Sequence, residues 1–153
     1  MPVYHPEQLE TEVSEVAGSA QPNQTLWISD TAGLTQFGSF IEVLQPGCIS
    51  SLKHWHSAED EMVYVLEGEI TVVEGDTETR LQAGGVAAFK AGVAVGHYLE
   101  NRSSAPTRCL VAGTRAPVDR ITYPDHARVC LRDRSLPDDL WTDLNGQPAS
   151  RPY

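Results

Sequence analysis

Two histidines two residues apart, followed closely by a glutamate, form the pattern in this sequence with the most capacity for chemistry. His54 and His56 flank Trp55, and Glu61 comes after a short polar link. In an extended strand this spacing puts both imidazoles on one face, close enough together to bind one ion. A short loop can then turn the chain and bring the Glu61 carboxylate beside the two rings. The segment therefore predicts a chelating site.

A third histidine, His97, follows the strand-like run 93–96. In a barrel a later strand can lie across from an earlier one, so His97 can complete a set of three neutral imidazoles and one carboxylate. Such nitrogen and oxygen donors suit Fe(II), Mn(II), Ni(II), Cu(II) or Zn(II), and a six-coordinate ion would keep open positions for substrate or dioxygen. The alternative is a group of polar side chains that binds nothing. Burial of these groups without an ion is costly unless each is paired, which favours the metal.

Short apolar or alternating runs separated by Gly, Pro and Asn surround these residues and are typical of β-strands. Because no long helix-periodic run intervenes, they predict an all-β fold, a small antiparallel β-barrel or jelly roll. The predicted strands are Phe37 to Leu44, Glu61 to Leu66, Glu69 to Glu74, Thr77 to Leu81, Val86 to Phe89, Gly96 to Glu100 and Thr107 to Gly113.

The ends of the chain differ in composition from the middle. Tyr4 to Glu15 is acidic and weakly patterned, and Pro117 to Tyr153 is rich in proline and aspartate. We expect one domain over residues 1–153, with a barrel core over about 37–115 and a C-terminal arm over about 117–153. The two ends are predicted to be extended arms that pack on the surface or exchange with a partner subunit.

Composition limits the partners and the location. Eleven Lys and Arg face 21 Asp and Glu, a formal net charge of -10, which opposes approach to nucleic acid. No run approaches the ~20 apolar residues of a membrane-spanning helix. Met1 to Glu15 has acids where a signal peptide has an apolar stretch, so we expect a cytoplasmic protein. Cys48, Cys109 and Cys130 are therefore predicted to be reduced thiols.

Other polar residues are predicted to have structural roles. His5 and His126 have no second ligand at strand spacing, which favours solvated or capping positions. Glu59 and Asp60 indicate a solvated acidic turn, with orientation of His56 as the lesser alternative for this pair. Three cations can reach an anion at the barrel mouth, but surface solvation is favoured for each of them: Lys53, Arg80 and Arg108.

Two stretches resemble the sequence motifs of the cupin superfamily. The first motif matches at His54, His56, Glu61 and Gly68, whereas Gly47 lies one residue further from His54 than the pattern asks. The second motif is recognisable at Gly85, Gly96, His97 and Asn101, and Ala91 stands where the family often has proline. The resemblance covers residues 37–115, about half of the chain. It implies that His54, His56, Glu61 and His97 bind one divalent transition metal, Fe, Mn, Ni or Zn, inside a small barrel.

The ligand set predicts metal-assisted chemistry on a small organic acid or sugar-like molecule that chelates the ion, by an oxygenase, isomerase or lyase reaction. No residue stands out as a separate general base, so the catalytic residues stay unassigned. A small-molecule binding or sensing module, with or without metal, is the alternative. A homodimer is also expected, because the edge strands of a small open barrel invite pairing with a second copy.

Overall fold

The computed structural model describes residues 2–152, and most of its regular structure is antiparallel β-strand. Within these residues no helix is long and apolar enough to cross a membrane. One short helix, α1 (Ile28–Ala32), interrupts the strands. The strands are β1 (Glu10–Ser14), β2 (Asn23–Trp27), β3 (Phe37–Leu44), β4 (Trp55–His56), β5 (Glu61–Glu67), β6 (Glu69–Glu74), β7 (Thr77–Gln82), β8 (Val86–Phe89), β9 (His97–Glu100), β10 (Thr107–Thr114), β11 (Val118–Tyr123), β12 (Arg128–Asp133) and β13 (Leu140–Asp143).

The strands form three sheets in a jelly-roll arrangement. One has the order β1-β2-β3-β10-β5-β8, one the order β13-β12-β11-β4, and one the order β7-β6-β9. Neighbouring strands in all three sheets are antiparallel. The all-β prediction is therefore confirmed, and all seven predicted strands are present with ends that agree within one residue.

The core lies between the inward faces of these strands. Along β10 buried and half-buried positions alternate, as expected for a strand with one face on the core. Cys109 and Val111 on that strand pack with Leu44, Val63 and other buried residues of the main cluster. A second cluster joins the C-terminal strands to the segment before β4; its buried members are Leu52, Ile121, Tyr123 and Cys130.

The two ends of the chain are more ordered than extended arms. β1 continues the large sheet through β2, and β11, β12 and β13 build most of a sheet of their own. The inward positions of β11 are Asp119, Ile121 and Tyr123, all buried. Because a carboxylate occupies one of them, the apolar alternation that predicts a strand is broken there.

Two pairings of the backbone position the histidine segment. His54 faces His97 in an antiparallel bridge, in which His54 N donates to His97 O (3.2 Å) and His97 N donates to His54 O (2.8 Å). Two residues later, His56 on β4 lies opposite Ile121 on β11. The histidine segment therefore lies between β9 and the C-terminal sheet.

All three cysteines are buried and free. Burial raises the pKa of the Cys109 and Cys130 thiols to about 12 in each case. These two thiols are therefore protonated at neutral pH and act as small core side chains.

The turn between β5 and β6 requires glycine for two reasons. Gly68 has φ +81°, and a Cβ on it would lie 2.9 Å from Pro106 O. Gly84, in the turn before β8, has φ +91°, but a Cβ there would meet no atom within 4 Å. Gly84→Ala therefore isolates the cost of the left-handed backbone, and Gly68→Ala adds the steric cost.

We expect Gly84→Ala to lower the free energy of unfolding by about 1–2 kcal/mol, and Gly68→Ala to lower it by clearly more, since the Pro106 backbone must move. Urea unfolding of both variants measures the two costs. Equal losses would show that the contact with Pro106 carries no strain.

Candidate metal centre

The His54 imidazole is fixed with one nitrogen free. Its Nδ1 lies 2.8 Å from Leu52 O and 3.2 Å from Ser51 Oγ. A carbonyl only accepts hydrogen bonds, so Nδ1 carries the proton and the Nε2 lone pair is left for a ligand. Burial lowers the His54 pKa to about 4, against the opposing effect of Glu61. The ring is therefore neutral at physiological pH, the form in which an imidazole binds a metal.

His56 is oriented by a carboxylate from the C-terminal sheet. Its Nδ1 lies 2.6 Å from Asp119 Oδ2, and Asp119 Oδ1 accepts hydrogen bonds from Ala58 N (2.8 Å) and Ser57 Oγ (3.0 Å). Burial opposes the charge on Asp119, but these hydrogen bonds outweigh it and lower the pKa of the carboxyl to about 2. Asp119 is thus a permanent acceptor for Nδ1–H of His56. Nδ1 of His56 is therefore occupied, and Nε2 is the ring nitrogen left for a ligand, as in His54.

Glu61 begins β5, where it lies opposite Gly113 of β10 and Phe89 of β8. A Cβ on Gly113 would lie 2.8 Å from Asp60 O, so only glycine lets the two strands approach this closely at the site. Burial disfavours the Glu61 carboxylate, but the neighbouring imidazoles outweigh burial and hold its pKa below the ordinary value. Glu61 is therefore an anion at neutral pH.

The structure brings three of the four predicted ligands into one group. Ligand atoms of His54, His56 and Glu61 all lie within 4.8 Å of one another. His97 is not in that group, but its ring faces inward with its centroid 5.0 Å from that of His54, and its Nε2 lies 3.6 Å from Glu61 Oε1. That distance is too long for a hydrogen bond.

His97 Nε2 is also a buried polar atom without a hydrogen-bond partner among residues 2–152. The ring is held flat against Phe89, with centroids 3.6 Å apart and planes 2° apart. An unpaired buried nitrogen is costly, and one beside a carboxylate and two free imidazole nitrogens fits the coordination of a cation. The donor set of the four residues therefore fits a divalent transition metal.

Glu59 differs from the predicted solvated turn. It is buried, and its Oε1 accepts hydrogen bonds from Ala116 N (2.9 Å) and Arg134 Nη2 (2.7 Å). Its Oε2 lies 4.0 Å from His56 Nδ1. The correction has a physical cause: Arg134, 75 residues away in the chain, supplies the counter-charge that lets the carboxylate leave water. Asp60 stays exposed, as predicted.

The predicted positions of the two remaining histidines agree with the structure. His5 and His126 are exposed and lie beside the short turns Pro6–Gln8 and Pro124–His126. Surface solvation describes only Arg80 among the three candidate cations, because Lys53 and Arg108 are half-buried. All three contact protein groups: Lys53 Nζ donates to Gly75 O, Arg80 pairs with Glu69, and Arg108 pairs with Glu67.

Glu42 is a site residue that the sequence prediction missed. It lines a cavity of about 200 Å³ together with His54, Glu61 and His97. Burial, and then the charge of Glu61, raise the Glu42 pKa to about 8. A signal was present in the sequence, because Glu42 shares the inward face of β3 with Leu44, and a charged residue in that register is rare without a function.

Two further residues near the histidines come from β11. Asp119 binds His56, and the Tyr123 ring stacks on the His54 ring with centroids 5.7 Å apart. Neither position carried a spacing signal, because each is more than 60 residues from its partner in the sequence.

Comparison with known proteins agrees with the fold and with the motif positions. A family model described as "Cupin domain" matches residues 40–113. A sugar phosphate isomerase of the cupin superfamily from Silicibacter pomeroyi is 34% identical, with a TM-score of 0.86 and coverage of 97% of both chains. No curated protein matches the sequence.

More distant solved structures share the fold. A putative sugar phosphate isomerase from Acidithiobacillus ferrooxidans has 24% identity and a TM-score of 0.81, covering 95% of this chain and 92% of its own. A predicted oxalate decarboxylase from Thermotoga maritima has 19% identity and a TM-score of 0.64, covering 75% of this chain and 100% of its own. Because the Silicibacter pomeroyi protein aligns over nearly the whole of both chains at 34% identity, this chain belongs to the cupin superfamily.

Proposed function

We propose that this chain is a metal-dependent enzyme that isomerises a small sugar-like hydroxycarbonyl compound. The observation that carries the proposal is that His54, His56 and Glu61 each bring a ligand atom within 4.8 Å of the others, with the unpartnered Nε2 of His97 beside Glu61. The 34% identical protein from Silicibacter pomeroyi, named a sugar phosphate isomerase, supports this reaction over an oxygenase or a lyase.

His54, His56, Glu61 and His97 would hold the ion. A divalent metal in this position supplies a Lewis acid for the substrate's carbonyl and hydroxyl oxygens. Leu52 O and Asp119 hold the first two rings by Nδ1 and leave Nε2 for a ligand, and Phe89 fixes the plane of the third ring. Oriented imidazoles of this kind need little rearrangement when they bind.

Glu42 supplies the group that can move a proton. Isomerisation of a hydroxycarbonyl compound through an enediol moves one proton between adjacent carbons and a second from the hydroxyl oxygen to the former carbonyl oxygen. The first transfer needs a base that takes up the carbon-bound proton and returns it to the neighbouring carbon as an acid. Glu42 lines the same cavity as three of the proposed ligands, and its pKa of about 8 places both protonation states within reach at neutral pH. A nearby cation would shift Glu42 toward the carboxylate, the form that accepts the proton.

Metal binding is tested by elemental analysis of protein purified without chelator. We expect about one Fe, Mn, Ni or Zn per chain, loss of the metal in His54→Ala, and a roughly 10–100-fold lower affinity in Asp119→Asn. His126→Ala, which changes an exposed histidine, serves as the control and should keep the wild-type metal content. Wild-type protein that contains no transition metal and gains no thermal stability from added metal would contradict the proposal.

Proton transfer is tested by incubating the metal-loaded protein with aldoses and ketoses in D₂O and following deuterium at the carbon next to the carbonyl by NMR. We expect isomerisation with incorporation of solvent deuterium, and loss of both in Glu42→Gln. A sugar that stabilises the protein but is recovered unchanged and without deuterium would support a non-catalytic binding role instead. Oxygen consumption would indicate an oxygenase.

The unusual pKa of Glu42 also predicts a pH effect on stability in the metal-free protein. Folding raises this pKa from 4.5 to about 8, so between these values the native state binds a proton that the unfolded state has released, and stability falls as pH rises. His54, whose pKa folding lowers from 6.5 to about 4, has the opposite effect below about pH 6.5.

The effect of Glu42 on stability is therefore measured between pH 6.5 and 8, above the range in which His54 contributes. There the wild-type free energy of unfolding should fall by up to about 1.4 kcal/mol per pH unit relative to Glu42→Gln. Urea unfolding at several pH values measures this slope. Glu7→Gln, a change at an exposed position, is the control and should keep the wild-type slope. Parallel slopes for wild type and Glu42→Gln would contradict a buried, protonated carboxyl.

We also propose that the protein is a homodimer. The outer face of β5 and β8 exposes Met62, Tyr64, Leu66 and Val86, a grouping of apolar side chains that is typical of contact surfaces. Sedimentation at micromolar concentration should show a species of twice 16.7 kDa, and Tyr64→Glu should shift it to the monomer. A wild-type monomer at that concentration would rule the dimer out.

A further inference from the structure

A second cavity adjoins the candidate metal centre. It has a volume of about 420 Å³, and His56 and Glu61 line it together with Arg115, Arg132 and Arg134. The smaller cavity that holds Glu42 shares Glu61 with it, as well as Phe40 and Val111. This cavity therefore places three arginines around the same space as two of the proposed ligands.

Two of these arginines are held by one edge only. Arg132 uses Nε and Nη2 to bind Asp139 (3.3 and 3.0 Å), and Arg134 uses Nη2 to bind Glu59 (2.7 Å) and Nε to bind Ala116 O (3.0 Å). Within residues 2–152 the Nη1 group of each makes no hydrogen bond. The ion pairs therefore fix the two guanidinium groups and leave one donor edge of each available to an acceptor.

Arg115, the third arginine of the cavity, is held through both of its Nη groups. Its Nη2 binds Asp30 Oδ1 (2.5 Å) and Ser29 Oγ (3.1 Å), and its Nη1 donates to Leu34 O (3.1 Å). These bonds anchor the Arg115 side chain to helix α1 and to Leu34, which lies just after the helix. Arg115 therefore adds positive charge to the cavity from a fixed position, with most of its donors in use.

The unused donors of the cavity suit an anion. Each of the three guanidinium groups already faces one carboxylate, from Asp30, Asp139 or Glu59, so the attraction comes from the Nη1 donors of Arg132 and Arg134 and not from a surplus of arginine charge. A divalent ion at the ligand group would add positive charge beside these donors. A tetrahedral anion with several oxygens also suits donors that come from more than one arginine, whereas a carboxylate is satisfied by one.

We propose that this cavity binds the phosphate group of a phosphorylated substrate, with Arg132 and Arg134 as the donors and Arg115 as a fixed charge. The inference rests on the proposed function, since it places the sugar-like part of the same molecule at the metal ligands. Arg132 and Arg134 lie on β12 and just after it, so the subsite belongs to the C-terminal sheet.

The experiment is calorimetric titration of inorganic phosphate into wild type and variants at constant ionic strength, with and without bound metal. We expect Arg132→Gln to weaken phosphate binding about tenfold or more, because it removes a charged donor. Arg134→Lys keeps the charge but loses the planar fork, and should also weaken binding. Arg120→Gln is the matched control, an exposed arginine on β11 outside the cavity, and should bind phosphate as wild type does.

Two outcomes overturn the phosphate subsite. One is equal phosphate affinity in Arg132→Gln, Arg120→Gln and wild type. The other is phosphate binding that vanishes in His54→Ala but is unchanged in Arg132→Gln, which would place the anion on the metal itself.

Metal content, measured on the same samples, keeps the two proposals separate. Wild type without metal contradicts the proposed function, while the Arg132→Gln comparison in metal-free protein still decides the subsite. The source of the anion is tested by comparing turnover of a sugar phosphate with turnover of the same sugar without phosphate. A preference for the sugar phosphate that is reduced in Arg132→Gln would assign the anion to the substrate rather than to free phosphate.

Discussion

Two backbone hydrogen bonds between His54 and His97 join segments 43 residues apart and define the centre of the site. Facing residues in such a bridge carry their side chains on the same side of the sheet, which brings the two imidazoles together before any ion is considered. Two residues further along, the pairing of His56 with Ile121 places the third ring against β11. The positions of the rings thus follow from strand pairing, and only their rotation depends on side-chain contacts.

Burial gives the acidic and basic groups of this centre different roles. It keeps His54 neutral and Glu42 protonated, whereas hydrogen bonds keep Asp119 charged although it too is buried. The difference lies in the partners: Asp119 accepts from a ring, a hydroxyl and a backbone N–H, and Glu42 faces the negative charge of Glu61. One small region of the fold therefore holds a metal-binding form of histidine, a fixed carboxylate and an exchangeable proton.

The sequence predicts the parts of the site that depend on local spacing. His54, His56 and Glu61 are close in the chain, and strand periodicity correctly places β3 and β5 to β10. Asp119 and Arg134 act through pairings between distant segments. The strand that carries Asp119 was hidden because this carboxylate occupies an inward position. Glu42 could be found from its register in β3, but a single glutamate in an apolar run does not indicate what it faces.

The C-terminal sheet makes this barrel a structure of two unequal parts. Motif residues of the barrel supply the proposed ion ligands. β11 supplies the carboxylate that orients His56, and β12 with the following Arg134 supplies two arginines of the neighbouring cavity. Insertions, deletions or exchanges in the last third of the chain can therefore change which molecules enter without altering the ligand set. Relatives with identical motifs can for this reason differ in substrate, and their C-terminal sequences are the better guide to classifying them.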